Sequence, residues 1–153
     1  MPDSDLYAPF RPRRARTVSL VLAILLVIAT IVLFAVVPTS GLFSFGPVDY
    51  AAAVAVVGGF LVFLWMQYTV TVIPSEKGIY VRNLVARHNV EWAEVLGVDF
   101  GDSAWARLDV IHDEPIAVMG IQRSDGEFAQ AEARRLATLV HLHSGEEPVR
   151  RTP

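Results

Sequence analysis

The chain of 153 residues has no cysteine, which excludes disulfide frameworks, thiolate metal sites and cysteine nucleophiles together. Redox compartment stays open, because oxidising and reducing spaces both tolerate cysteine-free chains. Charge is missing from two long stretches. Residues 18–37 contain no charged side chain, and a second charge-free stretch begins after Asp49 and reaches Met66. The connection between them, 38–47, has no Lys or Arg. No phosphate-cradling glycine loop, Ser/His/Asp order, paired-carboxylate motif or metal-ligand spacing stands out anywhere. The composition therefore supports a location and an architecture rather than a reaction.

What is present divides the chain in two. Twenty residues of helix rise about 30 Å, the thickness of a hydrocarbon core. Residues 18–37 meet that length with only Ser19 and Thr30 as polar residues, and their hydroxyls can bond back to their own helix. Residues 48–68 form the second candidate span, with Tyr50 at one end and Trp65 and Tyr68 at the other, as headgroup belts prefer. Between them, 38–47 is bracketed by Pro38 and Pro47 and contains Gly41 and Gly46, which reads as a tight external turn. Arg11, Arg13, Arg14 and Arg16 precede the first run, and Lys77, Arg82 and Arg87 follow the second. Positive charge stays inside, so both termini are expected in the cytoplasm, with 1–17 a basic cytoplasmic tail. A cleaved signal peptide is the alternative for the first run. The run exceeds the usual 7 to 15 apolar residues and lacks a small-x-small cleavage site, and cleavage would leave the carboxy-terminal part in the cytoplasm anyway. Ala51, Ala55 and Gly59 form a small-residue stripe. Packing against the first helix of the same chain is the simpler expectation for it, with a homo-oligomer contact as the other.

The formal charge of −3 is unevenly spread: residues 74–153 hold nine basic and thirteen acidic side chains. A domain that acidic is a poor general binder of nucleic acid. Its start alternates Thr69, Thr71 with Val70, Val72, the period of a half-buried strand, with no linker after the second span. Strands are expected at "IYVRN", "ARHNV", 95–100, "AWARLDVI" and "IAVMGI", separated by turns at "PSEKG", Glu91 to Glu94, "GDS" and "HDEP". Ser124 and Asp125 then cap a helix whose Ala129, Ala133, Leu136 and Val140 fall on one face. About six antiparallel strands and one closing helix make an α+β domain over 69–144, followed by a disordered tail, 145–153.

"GIYVRN", "VEWAEVLGVDF" and "IQRSDG" before a final helix, behind two anchors, resemble the bacterial pleckstrin-homology-like (PH-like) membrane proteins. They resemble in particular the actinobacterial group called low molecular weight protein antigen 6. Gly78, Arg82, Asn83, Trp92, and Gln122 with Asp125 are the matching positions, and the resemblance covers about residues 18–143. It implies a bent, PH-like antiparallel β-barrel of six to seven strands capped by the helix, and a family without an established catalytic centre.

Several side chains invite a chemical reading and a plainer one. Asp99, Phe100 and Gly101 spell a magnesium-binding tripeptide of protein kinases, but nothing else of that set is present, and a strand ending in a turn suffices. His141 and His143, two apart on a helix, point about 200° apart and cannot chelate together. With His88 and His112 they read as solvated surface histidines. Arg134 and Arg135 read as a solvated helix face. Lys77, Arg82, Arg87 and Trp92 remain the candidate contacts for a ligand or partner, against juxtamembrane charge and a core tryptophan as the plainer readings. No catalytic residue, cofactor or metal is expected. The function expected is that of a non-enzymatic inner-membrane module presenting its domain to an envelope or membrane protein. The alternative is a sensor of anionic lipid or envelope-precursor headgroups.

Overall fold

The structure, a computed structural model, describes residues 6–37, 44–111 and 113–143. Most of the expected external turn, the carboxy-terminal tail and His112 lie outside these residues. The described chain forms two compact units, one built from residues 13–69 and the other from 1–12 with 70–153.

The first unit is a pair of helices, α1 (Arg13–Val36) and α2 (Pro47–Tyr68). Both are long and apolar enough to cross a membrane. Proline at the first position of α2 costs no hydrogen bond, and the Asp49 carboxylate accepts from the Gly46 N–H at 2.8 Å. Within α1 the Thr30 hydroxyl donates to the Leu26 carbonyl at 2.7 Å, so this polar group is satisfied inside its own helix. The helices are antiparallel. Phe34 meets Tyr50 edge-on at 4.9 Å near one end, and the Arg16 guanidinium lies 4.3 Å over the Tyr68 ring at the other. Ala53, Val57, Leu61 and Leu64 are partly covered, whereas Ala51, Ala55 and Gly59 are exposed. A Cβ on Gly59 would meet nothing within 4 Å. The small-residue stripe thus turns away from α1. The larger side chains of α2, one helical face round, make the intrachain contact instead.

The second unit contains two three-stranded antiparallel sheets, ordered β1-β2-β3 and β4-β5-β6. The strands are β1 (Thr71–Pro74), β2 (Gly78–Arg82), β3 (Arg87–Glu91), β4 (Val95–Asp99), β5 (Trp105–Val110) and β6 (Ile116–Gln122). Their inward positions form the core: Val72, Ile79 and Val81 from one sheet and Ala106, Leu108 and Val118 from the other are all fully buried. Register shifts in the β4–β5 and β5–β6 pairs bend the second sheet. Gly78 is required by close approach, since a Cβ there would run into the Val90 carbonyl oxygen of β3. The "GDS" turn is held by the Asp99 carboxylate, which accepts from the Gly101 N–H at 3.1 Å, so the kinase-like tripeptide is turn chemistry. A 3-10 turn, Arg123–Asp125, and Gly126 at φ 62° lead into α3 (Glu127–His143). Ala129, Ala133, Leu136 and Val140 are buried on one face of α3, joined by Leu139.

The barrel is open. Among the described residues there are six strands, and no ladder joins the two sheets. The barrel that the resemblance implies is therefore not closed here, and the six strands stand at the lower end of the expected six to seven. Two devices fill the gap. Asn83, just past β2, uses its side-chain amide as a strand would: Nδ2 donates to the Ala117 carbonyl at 2.7 Å and Oδ1 accepts from the Met119 N–H at 3.2 Å. The other device is the segment before α1. Phe10 forms an isolated antiparallel bridge with Val72, its N–H donating to the Val72 carbonyl at 2.8 Å and its carbonyl accepting in return at 3.0 Å. Its ring is fully buried. Gly120 makes room, because a Cβ there would stand 3.0 Å from the Phe10 oxygen. Residues 6–12, part of a stretch that composition alone reads as a basic tail, are therefore packed into the domain.

Candidate functional site

Of the four candidate contact residues, the structure brings two together. Arg82 and Arg87 are partners across the β2–β3 ladder, so their side chains share one face of the sheet. Lys77 is exposed in the β1–β2 turn, at the opposite end of β2 from Arg82. Trp92 is a core residue. It is 4% exposed, its Nε1 donates to the Ser75 carbonyl at 2.7 Å, and the His143 ring stacks on it at 4.9 Å and 5°. The polar segment around it is a 3-10 turn, Trp92–Glu94, that drops this one ring inward.

Two helix residues have closer partners than a solvated surface would give them. The His143 Nε2 lies 2.7 Å from the Tyr7 hydroxyl. Arg135 is a clamp: its guanidinium sits 3.9 Å over the Phe10 ring, donates to the Leu6 and Ala8 carbonyls at 3.1 and 2.8 Å, and pairs with Glu132 at 2.6 Å. An arginine serves here because its planar fork stacks and donates at once. A lysine could not do both.

A groove of about 350 Å³ lies beside β3. Arg87, His88 and Asn89 of β3 form one wall, and Glu94 and Asp113 bring carboxylates. Val110, Ile111 and Ile116 add apolar surface. β3 is an edge strand, bonded to β2 alone. The Asn83 N–H donates to the Ala86 carbonyl in the β2–β3 turn at 3.0 Å. By antiparallel alternation, Arg87, Asn89 and Glu91 then turn their main-chain groups away from β2. The Glu91 N–H is already met by the Glu94 carboxylate at 3.2 Å, so the groove combines a strand edge that faces outward at Arg87 and Asn89, charges of both signs and a small apolar patch. His88, Asn89 and Asp113 were not legible as site residues in the sequence. The one signal was the polarity of "RHNVE", unusual for a strand and typical of an edge. Among the described residues no group of acidic or histidine side chains could hold a metal ion.

Residues 70–138 match the family model described as "Bacterial PH domain". The carboxy-terminal domain is PH-like, similar over these residues to bacterial PH domains. The chain is also similar to the uncharacterized proteins Rv1417 of Mycobacterium tuberculosis and Mb1452 of Mycobacterium bovis. Each is 43% identical over 67 residues, covering 43% of this chain and 44% of the relative. The matched stretch thus spans less than half the length of these relatives. No solved structure is a significant match. The matches indicate no enzyme family. The family match begins after α2 and stops short of His143, so it includes neither the Phe10 segment nor the last turn of α3.

Proposed function

We propose that this protein is a non-enzymatic, two-span inner-membrane scaffold whose PH domain, at the cytoplasmic face, captures an extended segment of an envelope or membrane protein in the groove beside β3. The carrying observation is that groove: an edge strand with outward main-chain donors and acceptors is the surface to which a partner strand adds. Alternating charge along the groove, from Arg87 to Glu94 and Asp113, favours a partner segment of mixed charge.

Two features support the topology. Phe10 and Val72 pair in one folded unit, so the chain before α1 and the chain after α2 lie on the same side, and the number of crossings is even. Arg11 before α1 and Arg13, Arg14 and Arg16 in its first turn, against no Lys or Arg in 38–47, favour the cytoplasm for that side. Residues 38–47 are then the external turn.

A photo-crosslinking side chain at Asp113 in the full-length protein tests the partner in cells. A discrete, reproducible adduct is expected, and Asn89→Pro should abolish it, because proline removes an outward donor without touching the β2–β3 ladder. No adduct in any growth state, or one indifferent to Asn89→Pro, rules the groove out. The anionic-headgroup reading retains the Arg82–Arg87 pair. If nanodiscs carrying the full chain recruit anionic but not neutral vesicles, and reversing both charges stops this, the lipid reading displaces the scaffold.

A further inference from the structure

We infer a second binding site in the helix pair, one that takes a single anionic glycerophospholipid, its acyl chain between α1 and α2 and its phosphate at Arg16. The inference rests on reading both helices as membrane spans. A groove of about 370 Å³ opens between the helices at the end where α1 begins and α2 stops. Leu20 and Ala23 of α1 face Leu61, Leu64 and Tyr68 of α2 across it. The small side chain of Ala23 among leucines makes the notch. From Tyr68 to Leu61 the groove runs about 10 Å along the helix, or about a third of the hydrocarbon thickness. It therefore reaches from the headgroup level into the upper acyl region of one leaflet only.

The polar rim selects the occupant. Arg16 stands at this mouth with its guanidinium over Tyr68. Its Nε is buried and has no hydrogen-bond partner among the described residues. With Nε covered and the side chain only partly buried, a headgroup meets the outer part of the guanidinium, where a phosphate oxygen is a charge-assisted acceptor. Arg13 and Arg14, one turn earlier in α1, add positive charge at the same end. Trp65 stacks against Tyr68 (6.1 Å, 23°), which extends an amphipathic ring surface at headgroup depth. An apolar chain alone brings no counter-charge to this cation, and phosphatidylcholine carries its own ammonium beside its phosphate, so charge complementarity points to a lipid of net negative charge.

Native mass spectrometry of the full-length protein, released from mild detergent with equal phosphatidylglycerol and phosphatidylcholine of identical chains, tests this. One phosphatidylglycerol should be retained over phosphatidylcholine by roughly fivefold, the contribution of one arginine at an anionic surface. Arg16→Gln should bring the ratio near one while Arg16→Lys keeps most of it. Ala23→Leu should lower retention of both lipids by filling the notch, and Arg134→Gln, at an exposed position on α3, should change nothing. Parity in the unmodified protein overturns the site, as does a preference that survives Arg16→Gln. A dimer mass that Ala23→Leu dissolves would mean that a second copy occupies the groove. Alkaline extraction of the same membranes separates the two levels. Release of the protein would defeat the span reading and this site with it, whereas retention with parity defeats the site alone.

Discussion

The two units use the same aliphatic side chains in opposite ways. Val54 of α2 is 57% exposed and Val72 of β1 is 0% exposed. α2 buries none of its residues, while the PH domain gathers its valines, leucines and isoleucines into one cluster with Phe10. Residue type does not decide which arrangement forms. In the helices apolar side chains point outward along uninterrupted runs and every main-chain group is satisfied within its own helix. In the domain they alternate with polar neighbours and must find each other across sheets. The contrast shows two solvents written into one chain, and the Phe10 segment marks the place where the aqueous pattern begins before the hydrocarbon one.

The sharpest way to break the comparison is Phe10→Ala, a core truncation in a segment that reads as a tail. It should cost the PH domain about 3–5 kcal/mol, seen as faster hydrogen exchange at the Val72 amide. A change below half that range would mean the segment is only draped on the surface. Next is Leu25→Asp, near the middle of α1 and already exposed. On the membrane-span reading it should oppose insertion by about 2.5–3.5 kcal/mol and shift the protein to the alkaline-extractable fraction. Unchanged extraction would deny that α1 sits in lipid.

A matched pair tests the two solvents directly. Val72→Ala should destabilise the domain by about 2 kcal/mol through lost burial and a cavity. Val54→Ala should stay within about 0.5 kcal/mol, as expected of a site outside any protein core; thermal unfolding of the two variants side by side gives the answer. The smallest effect expected is that of Tyr7→Phe, which removes the hydroxyl next to His143 and should cost about 0.5–1.5 kcal/mol. The histidine ring resonances should report it even where unfolding midpoints barely move.

Much of this fold was legible from short-range pattern. Strand positions followed from alternation, as in Thr71 to Val72, and the buried face of α3 from the spacing of Ala129, Ala133, Leu136 and Val140. What stayed hidden depends on long-range partners. Phe10 lies between two prolines in an arginine-rich stretch with no period, and its partner Val72 comes two helices later. Arg135 on a helix surface looks the same in sequence whether water or a backbone carbonyl meets it. Trp92 sat among glutamates that gave no hint of its inward turn. The groove beside β3 was least legible, since an edge is defined by which strand fails to arrive, and Asn83 closing the neighbouring gap with a side chain leaves no periodic trace.

The Phe10–Val72 bridge also imposes an order on biosynthesis. The first partner leaves the ribosome about 60 residues before the second, so at roughly 5–20 residues per second it waits for several seconds. On the proposed two-span topology, both helices are handed to the membrane during that interval while the leading segment remains behind on the ribosome side. On the two-span reading, β1 then fastens a loop whose middle already lies in lipid, which makes closure of the clasp a signal that the anchor was inserted the right way round.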